Sequence, residues 1–179
     1  LGEWEESLST KKDAFFEGER ESLKELISKA NLITNNDTKL KAFLEEIISS
    51  IHQQDPNHKT LIFTEYRATQ SYIFKALEER YGQGSVVVIN GSQNFQEREI
   101  SIAKFEHECS FLVSTESGGE GINLHRNCHI MVNYDLPWNP MRLVQRLGRL
   151  YRYGQKKKVL MFNLYSPNSF DSMIINLMY

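Results

Sequence analysis

Residues 61–89 read LIFTEYRATQSYIFKALEERYGQGSVVVI, and their pattern decides the fold. The stretch opens on a β-branched and aromatic run, Leu61 to Thr64, and closes on another, Ser85 to Ile89, with helical spacing over Thr69 to Arg80 between them. A strand, a helix and a strand in this order mean parallel strands joined by a right-handed crossover. Working outward, further strands are predicted at Phe111 to Ser114, Ile130 to Tyr134 and Val159 to Leu164. Helices are predicted near Gln96 to Glu106, Pro140 to Tyr151 and Phe170 to Met178. The strands are continuous apolar runs rather than alternating ones, as expected when helices cover both faces of the sheet. The predicted class is therefore α/β, a parallel sheet sandwiched by helices, with ligands at the carboxyl ends of the strands.

Upstream, Leu40, Phe43, Leu44, Ile47, Ile48 and Ile51 recur at helical intervals, with Asp37 or Thr38 as N-cap and Asp55-Pro56 as the stop. The Glu-rich first thirty-odd residues carry Phe15, Phe16, Leu23, Leu26, Ile27 and Ala30 at roughly helical spacing and predict one more helix. The chain has 179 residues, 40 % hydrophobic and 25 % charged, with 10 Gly and 4 Pro, which excludes collagen-like and disordered classes. The longest apolar runs, Val86 to Ile89 and Val159 to Phe162, are far too short to span a membrane. Cys109 and Cys128 read as reduced thiols in a cytoplasmic setting. The start at Leu1 and the end within an apolar helical pattern at Met178 and Tyr179 lead us to expect a piece of something longer.

The net charge of -2 demands no nucleic-acid partner. Yet Arg142, Arg146, Arg149, Arg152, Lys156, Lys157 and Lys158 fall in one segment that contains no acidic residue. On a helix at roughly 100° per residue, Arg142, Gln145, Arg146, Arg149 and Arg152 occupy an arc of about 120°. Leu143, Val144, Leu147, Leu150 and Tyr151 fill the opposite arc and are predicted core. A solvated basic face is the usual meaning of such a stripe, but four arginines without a carboxylate repel one another. Arginine's fork suits bidentate phosphate contacts, so phosphate or nucleic-acid recognition is the favoured reading.

Ser114-Thr115-Glu116-Ser117-Gly118-Gly119-Glu120-Gly121-Ile122-Asn123 follows the third strand, and its glycines let the backbone approach a ligand closely. A tight turn accounts for it equally well. Neither a G-x-G-x-x-G nor a G-x-x-x-x-G-K-[ST] motif is present, so the chain encodes neither a dinucleotide site nor a triphosphate cradle of its own. In Asp135-Leu136-Pro137-Trp138-Asn139-Pro140, Asn139 is a good N-cap and Pro140 a good first helical residue, while Trp138 reads chiefly as core. His125, Cys128 and His129 lack a fourth partner in sequence, and no metal site is predicted.

Together these motifs resemble the second RecA-like lobe of a superfamily two helicase, specifically the Swi/Snf-type family of DNA-dependent ATPases. Leu61 to Tyr66 resembles motif IV, and Asn90-Gly91-Ser92 with Arg98 and Phe105 resembles the segment after it. Ser114 to Leu124 is similar to motif V, Asp135 to Pro140 to the Asp-x-x-Trp-Asn-Pro signature, and Gln145 to Gln155 to motif VI. Order and spacing agree over about residues 38 to 179. Tyr151 stands where many eukaryotic members have His, and Arg146 where they often have Ala, so the pattern is closer to bacterial and archaeal members, including the type that recycles RNA polymerase.

The resemblance implies a RecA-like lobe over residues 35–179, with residues 1–34 as a helical appendage or inter-lobe segment. It implies ATP and Mg2+ held mainly by a first RecA-like lobe. Arg149 and Arg152 would be arginine fingers, with Gln145 positioning them or the attacking water. Gly121 and Asn123 would touch the nucleotide, and Ser92, Thr115 and Arg98 the nucleic-acid backbone. The implied partners are the first lobe of the same protein and duplex DNA, or a nucleic-acid-bound complex such as RNA polymerase. No membrane is involved, and the implied location is cytoplasmic, associated with the nucleoid if bacterial. The alternative is a non-catalytic nucleic-acid-binding or protein-interaction module that keeps the fold. A small α/β transferase using the glycine loop is disfavoured, because the loop lacks a companion acid, base or nucleophile.

Overall fold

The computed structural model describes residues 16–33, 37–167 and 169–178. Two compact units divide the chain, Leu1–Thr38 and Lys39–Tyr179. The first contains α1 (Glu19–Ile33), on the predicted spacing. Its Leu23, Leu26, Ile27 and Leu32 are all half exposed or more. Phe15, from the same predicted stretch, lies outside the described residues.

The second unit is built on five strands: β1 (Thr60–Thr64), β2 (Val86–Ile89), β3 (Phe111–Thr115), β4 (Ile130–Asn133) and β5 (Leu160–Asn163). Each lies within one residue of its predicted run. They form one sheet in the order β2-β3-β1-β4-β5, every pair parallel. Because successive side chains point to opposite faces, each strand feeds two cores. Ile62, Val113 and Val132 pack on one face with Phe43, Ile48, Ile73 and Leu77. Leu61, Leu112 and Met131 pack on the other with Phe105, Leu124 and Leu150. Full burial of such a side chain contributes about 1.5–3 kcal/mol.

The first face is covered by α4 (Arg67–Tyr81) and by the predicted upstream helix. The latter runs as α2 (Thr38–Lys41), a π-helical stretch (Ala42–Ile48) and α3 (Ser49–Gln54). The wider π turn, in which the Ser49 N–H donates to the Leu44 carbonyl five residues back, brings Phe43 and Ile48 into the core together. On α4, Gln70 is buried yet satisfied, donating to the carbonyls of Ile89 and Val113 (both 2.9 Å) and tying the helix to β2 and β3. The second face takes α5 (Phe95–His107), started by an Asn94–Glu97 capping box. At the carboxyl end of β3 a single turn, α6 (Glu116–Gly119), begins the glycine segment. Toward the C-terminus, α7 (Pro140–Leu147) packs with α8 (Phe170–Met178) through Leu136, Leu143 and Ile174. No helix among the described residues is long and apolar enough to cross a membrane.

Two sequence expectations are corrected here. The helix predicted to run to Tyr151 stops at Leu147, because Arg149 and Leu150 donate three residues back, to Arg146 and Leu147, and the chain tightens into turns. Val144 and Tyr151 are exposed rather than core, and Arg146 is buried, although Val144 and Arg146 lie within α7, ahead of the break. Trp138, read chiefly as core, is 70 % exposed.

Burial also fixes a pH response. His58, between α3 and β1, is buried, with its Nδ1 hydrogen-bonded to Thr60 Oγ1 (2.7 Å) and its ring edge-on to His52 and Phe111. Burial first, and the neighbouring His52 next, push its pKa from 6.5 down to about 4. The unfolded chain therefore takes up this proton first as the pH falls below 6.5. Stability is expected to drop across pH 6.5 to 4, by at most about 3 kcal/mol from this group. Urea unfolding of His58→Phe beside the parent at pH 7 and pH 4.5 checks it: the acid loss should be smaller in the variant, and an equal loss would refute the assignment.

Candidate nucleotide and nucleic-acid interface

The carboxyl ends of β1, β2, β3 and β4 gather the motif segments, as the parallel order requires. Thr115 ends β3 and caps α6, its hydroxyl accepting from the Gly118 N–H at 3.4 Å, and is itself buried. A Cβ on Gly118 would lie 2.5 Å from the Ile89 carbonyl oxygen. The close approach that this glycine allows is therefore to the end of β2. Gly121 has φ +79°, a left-handed turn that directs the chain toward Asn123 and back under motif VI.

The loop and motif VI are joined at two points. Arg152 Nη1 donates to Asn123 Oδ1 at 2.8 Å, and the Leu124 N–H donates to the Arg149 carbonyl at 3.3 Å. The half-buried Arg149 lines a small cleft with Gln145, Glu120 and Gly119, while Arg152 is exposed. Neither arginine makes an ion pair among the described residues. The residues predicted to hold nucleotide and to act as fingers thus form one surface, on turns rather than along a single helix.

Arg98 and Ser92 approach the same α6 turn from the other side. Arg98 Nη2 is 3.5 Å from the Ser117 carbonyl, and its Nε, buried, has no acceptor. Ser92 donates to Asn90 Oδ1 (2.6 Å) and accepts from Arg67 Nη2 (3.3 Å). Gly91, next to Ser92, packs so close to Ser117 that a Cβ there would meet the Ser117 hydroxyl at 2.5 Å. Ser117 is therefore the exposed hydroxyl between Arg98 and Ser92, whereas the Thr115 side chain faces inward. Exposure of a serine between two glycine-adjacent turns leaves no periodic signal in sequence.

Beneath this surface sits a polar cluster that local periodicity did not disclose. Arg146, 2 % exposed, donates from Nε and Nη2 to Glu116 Oε2 (2.9 and 2.6 Å). Its Nη1 donates to Asn133 Oδ1 and to the Asp135 carbonyl (both 3.0 Å), and the guanidinium lies 5.0 Å from the Phe63 ring centroid. Asp135 in turn accepts from Lys39 (2.9 Å) and from the Thr64 hydroxyl. The cluster rivets motif V to motif VI through a charge-assisted pair in which two guanidinium N–H groups converge on one carboxylate oxygen. Glu65 lies alongside, and burial raises its carboxyl pKa against the opposing pull of Arg146.

His125, Cys128 and His129 do not converge; among the described residues no three His, Cys, Asp or Glu groups are placed to hold a metal ion. Burial pushes the Cys128 thiol up to about 12, and its Sγ donates to the Lys59 and Ile130 carbonyls. That thiol is a packing group.

Comparison with known proteins agrees with this geometry. The helicase conserved C-terminal domain family matches residues 38–154. The chain is similar to the uncharacterized ATP-dependent helicase YqhH of Bacillus subtilis, 37 % identical over 161 residues, covering 90 % of this chain and 27 % of that protein. It is also similar to the ATP-dependent DNA helicase DDM1 of Arabidopsis thaliana, 34 % identical over 127 residues, covering 69 % of this chain and 16 % of that protein. Among solved structures, the C-terminal part of the Fun30 ATPase domain superposes with a TM-score of 0.68 at 24 % identity, covering 90 % of this chain and 54 % of that one, a likeness of fold. The chain belongs to the helicase conserved C-terminal domain family, as a second RecA-like lobe of Swi/Snf type. It spans about a quarter or less of the length of these curated relatives.

Proposed function

We propose that this chain is the second motor lobe of an ATP-dependent nucleic-acid translocase or remodeller. The observation that supports the reading is the Arg152 hydrogen bond to Asn123 together with the Arg149 side chain in the cleft beside Gly119, two guanidinium groups near the glycine loop without an ion pair among the described residues. Two guanidinium groups and an amide are a donor set for phosphate oxygens. ATP, held by a first RecA-like lobe together with Mg2+, supplies the phosphoryl group that is transferred to water. Arg149 and Arg152 stabilise the charge that develops on it, and Gln145, in the cleft with Arg149, positions that arginine or the attacking water. Gly121 and Asn123 meet the nucleotide. Ser92, Arg98 and the Thr115 turn meet the nucleic-acid backbone, contacts that read phosphate and shape but not sequence.

This chain alone is expected to show no ATP turnover, since fingers without a bound triphosphate stabilise nothing. Joined to a first RecA-like lobe, it should support turnover stimulated by duplex DNA. Turnover traced to the isolated chain, or a two-lobe protein indifferent to nucleic acid, would overturn the reading.

A further inference from the structure

The basic segment beginning at Arg142 is only partly explained by the nucleotide face. Arg146 is consumed by the buried cluster and Arg149 and Arg152 by the finger surface, which leaves Arg142, Lys158 and the adjacent pair Lys156 and Lys157. These two lysines line a recess of about 650 Å³ together with Lys59, Arg126, Glu106 and His129. Lys59 precedes β1, His129 precedes β4 and Lys157 precedes β5, so the recess lies at the amino ends of the strands. Ser92 and Thr115 stand at the carboxyl ends, on the opposite side of the parallel sheet.

The chemistry of the recess is one-sided. Four cations face one carboxylate, Glu106, and His129 adds no negative charge. None of the four makes an ion pair among the described residues. Lys59 is held in place, donating to the Cys109 carbonyl at 2.6 Å with its ammonium 5.8 Å from the Phe105 ring centroid. Burial first, and then the Lys157 charge, push the His129 imidazole below its ordinary pKa against the opposing pull of Asp55. Asn57 and Asn127 add amide donors, and apart from the His129 imidazole and Cys128 the lining side chains are polar or charged. A peptide or a drug-like molecule would need apolar anchors that are missing here. Phosphate groups need only donors and positive charge, and lysine serves them as a point charge.

We propose that this recess is a second anion site, separate from the nucleotide face, which binds closely spaced phosphates bearing about three negative charges in total. Two sources share that chemistry: a free polyphosphate compound, or a short run of nucleic-acid backbone.

Calorimetric titration of the chain at low salt, with inorganic tripolyphosphate in one arm and a short DNA duplex in the other, tests the proposal. Lys156→Glu with Lys157→Glu reverses two exposed charges without touching the core, and Arg126→Glu is an independent reversal across the recess. Each is expected to weaken binding of the occupant by about tenfold or more. Lys75→Glu, exposed on α4 and not part of the recess lining, should leave it unchanged, while Arg149→Ala with Arg152→Ala reports any tripolyphosphate taken by the finger surface instead. Loss confined to the tripolyphosphate arm supports a free polyphosphate, and loss in the duplex arm supports backbone, with a log–log salt slope near -3 for three phosphates. No binding in either arm overturns the proposal. So does binding that survives the Lys156 and Lys157 reversals but falls in the Arg149 and Arg152 variant, or equal affinity for polyglutamate. None of these outcomes depends on ATP hydrolysis, so the motor reading and this one can fail separately.

Discussion

Replacing Arg149 or Arg152 with Ala in a protein that joins this chain to a first RecA-like lobe is expected to cut steady-state ATP turnover by a factor on the order of 10³, the low end for arginine fingers. Neither guanidinium group makes an ion pair among the described residues, although Glu120 shares the Arg149 cleft, so their charge is expected to be available to a transferring phosphoryl group. Duplex binding should survive, because Ser92, Arg98 and the Thr115 turn lie on a different edge of α6. Lysine at either position should not rescue, since a point charge cannot reproduce the planar fork. Arg142, exposed at the start of α7, should cost far less when replaced. Near-normal turnover in both alanine variants would leave the arginines as a binding surface.

Arg146→Ala is expected to act on stability rather than on chemistry, with a loss of about 3 kcal/mol, the low end for breaking a buried ion pair. The low end applies because Glu116, with its side chain 23 % exposed, can recover some solvent when its partner goes, whereas Asn133 cannot. Such a loss is a large share of the roughly 5–15 kcal/mol typical of a folded domain. Arg146→Met combined with Glu116→Leu should recover only part of it, since the charged pair is gone but Asn133 Oδ1 and the Asp135 carbonyl still lose their donor. Urea midpoints of the single and double variants decide the matter. A single variant within about 0.5 kcal/mol of the parent would show that the cluster is incidental.

The motif VI region shows where a periodic reading of sequence succeeds and where it stops. Leu143 and Leu150 are buried as the spacing predicts. The helix ends at Leu147, where Arg149 and Leu150 donate three residues back, and no residue-level signal other than Gly148 marks the change. Arg146 was placed on the solvent-facing arc because arginine is read as a surface residue. Its burial depends on Glu116 and Asn133, 30 and 13 residues away in sequence, brought together only by the order of β3, β1 and β4. The strands were legible because continuous apolar runs in a helix-covered parallel sheet need no tertiary information to be seen. Trp138 was not, since size and hydrophobicity alone argued for core, whereas the loop that starts α7 holds it outside. The residues expected to face the nucleotide are legible from motif order, whereas the hydrogen bond between two of them, Arg152 and Asn123, comes only with the fold.

The claim at the centre of this account is that arginines of this lobe act on a triphosphate held by another. Single-turnover hydrolysis of ATP already bound to the two-lobe protein, with duplex present, isolates that step from binding and release. The account predicts that Arg149→Ala with Arg152→Ala leaves ATP bound while slowing its cleavage on the order of 10³-fold or more. Cleavage of the bound ATP at the parent rate in that variant would contradict it.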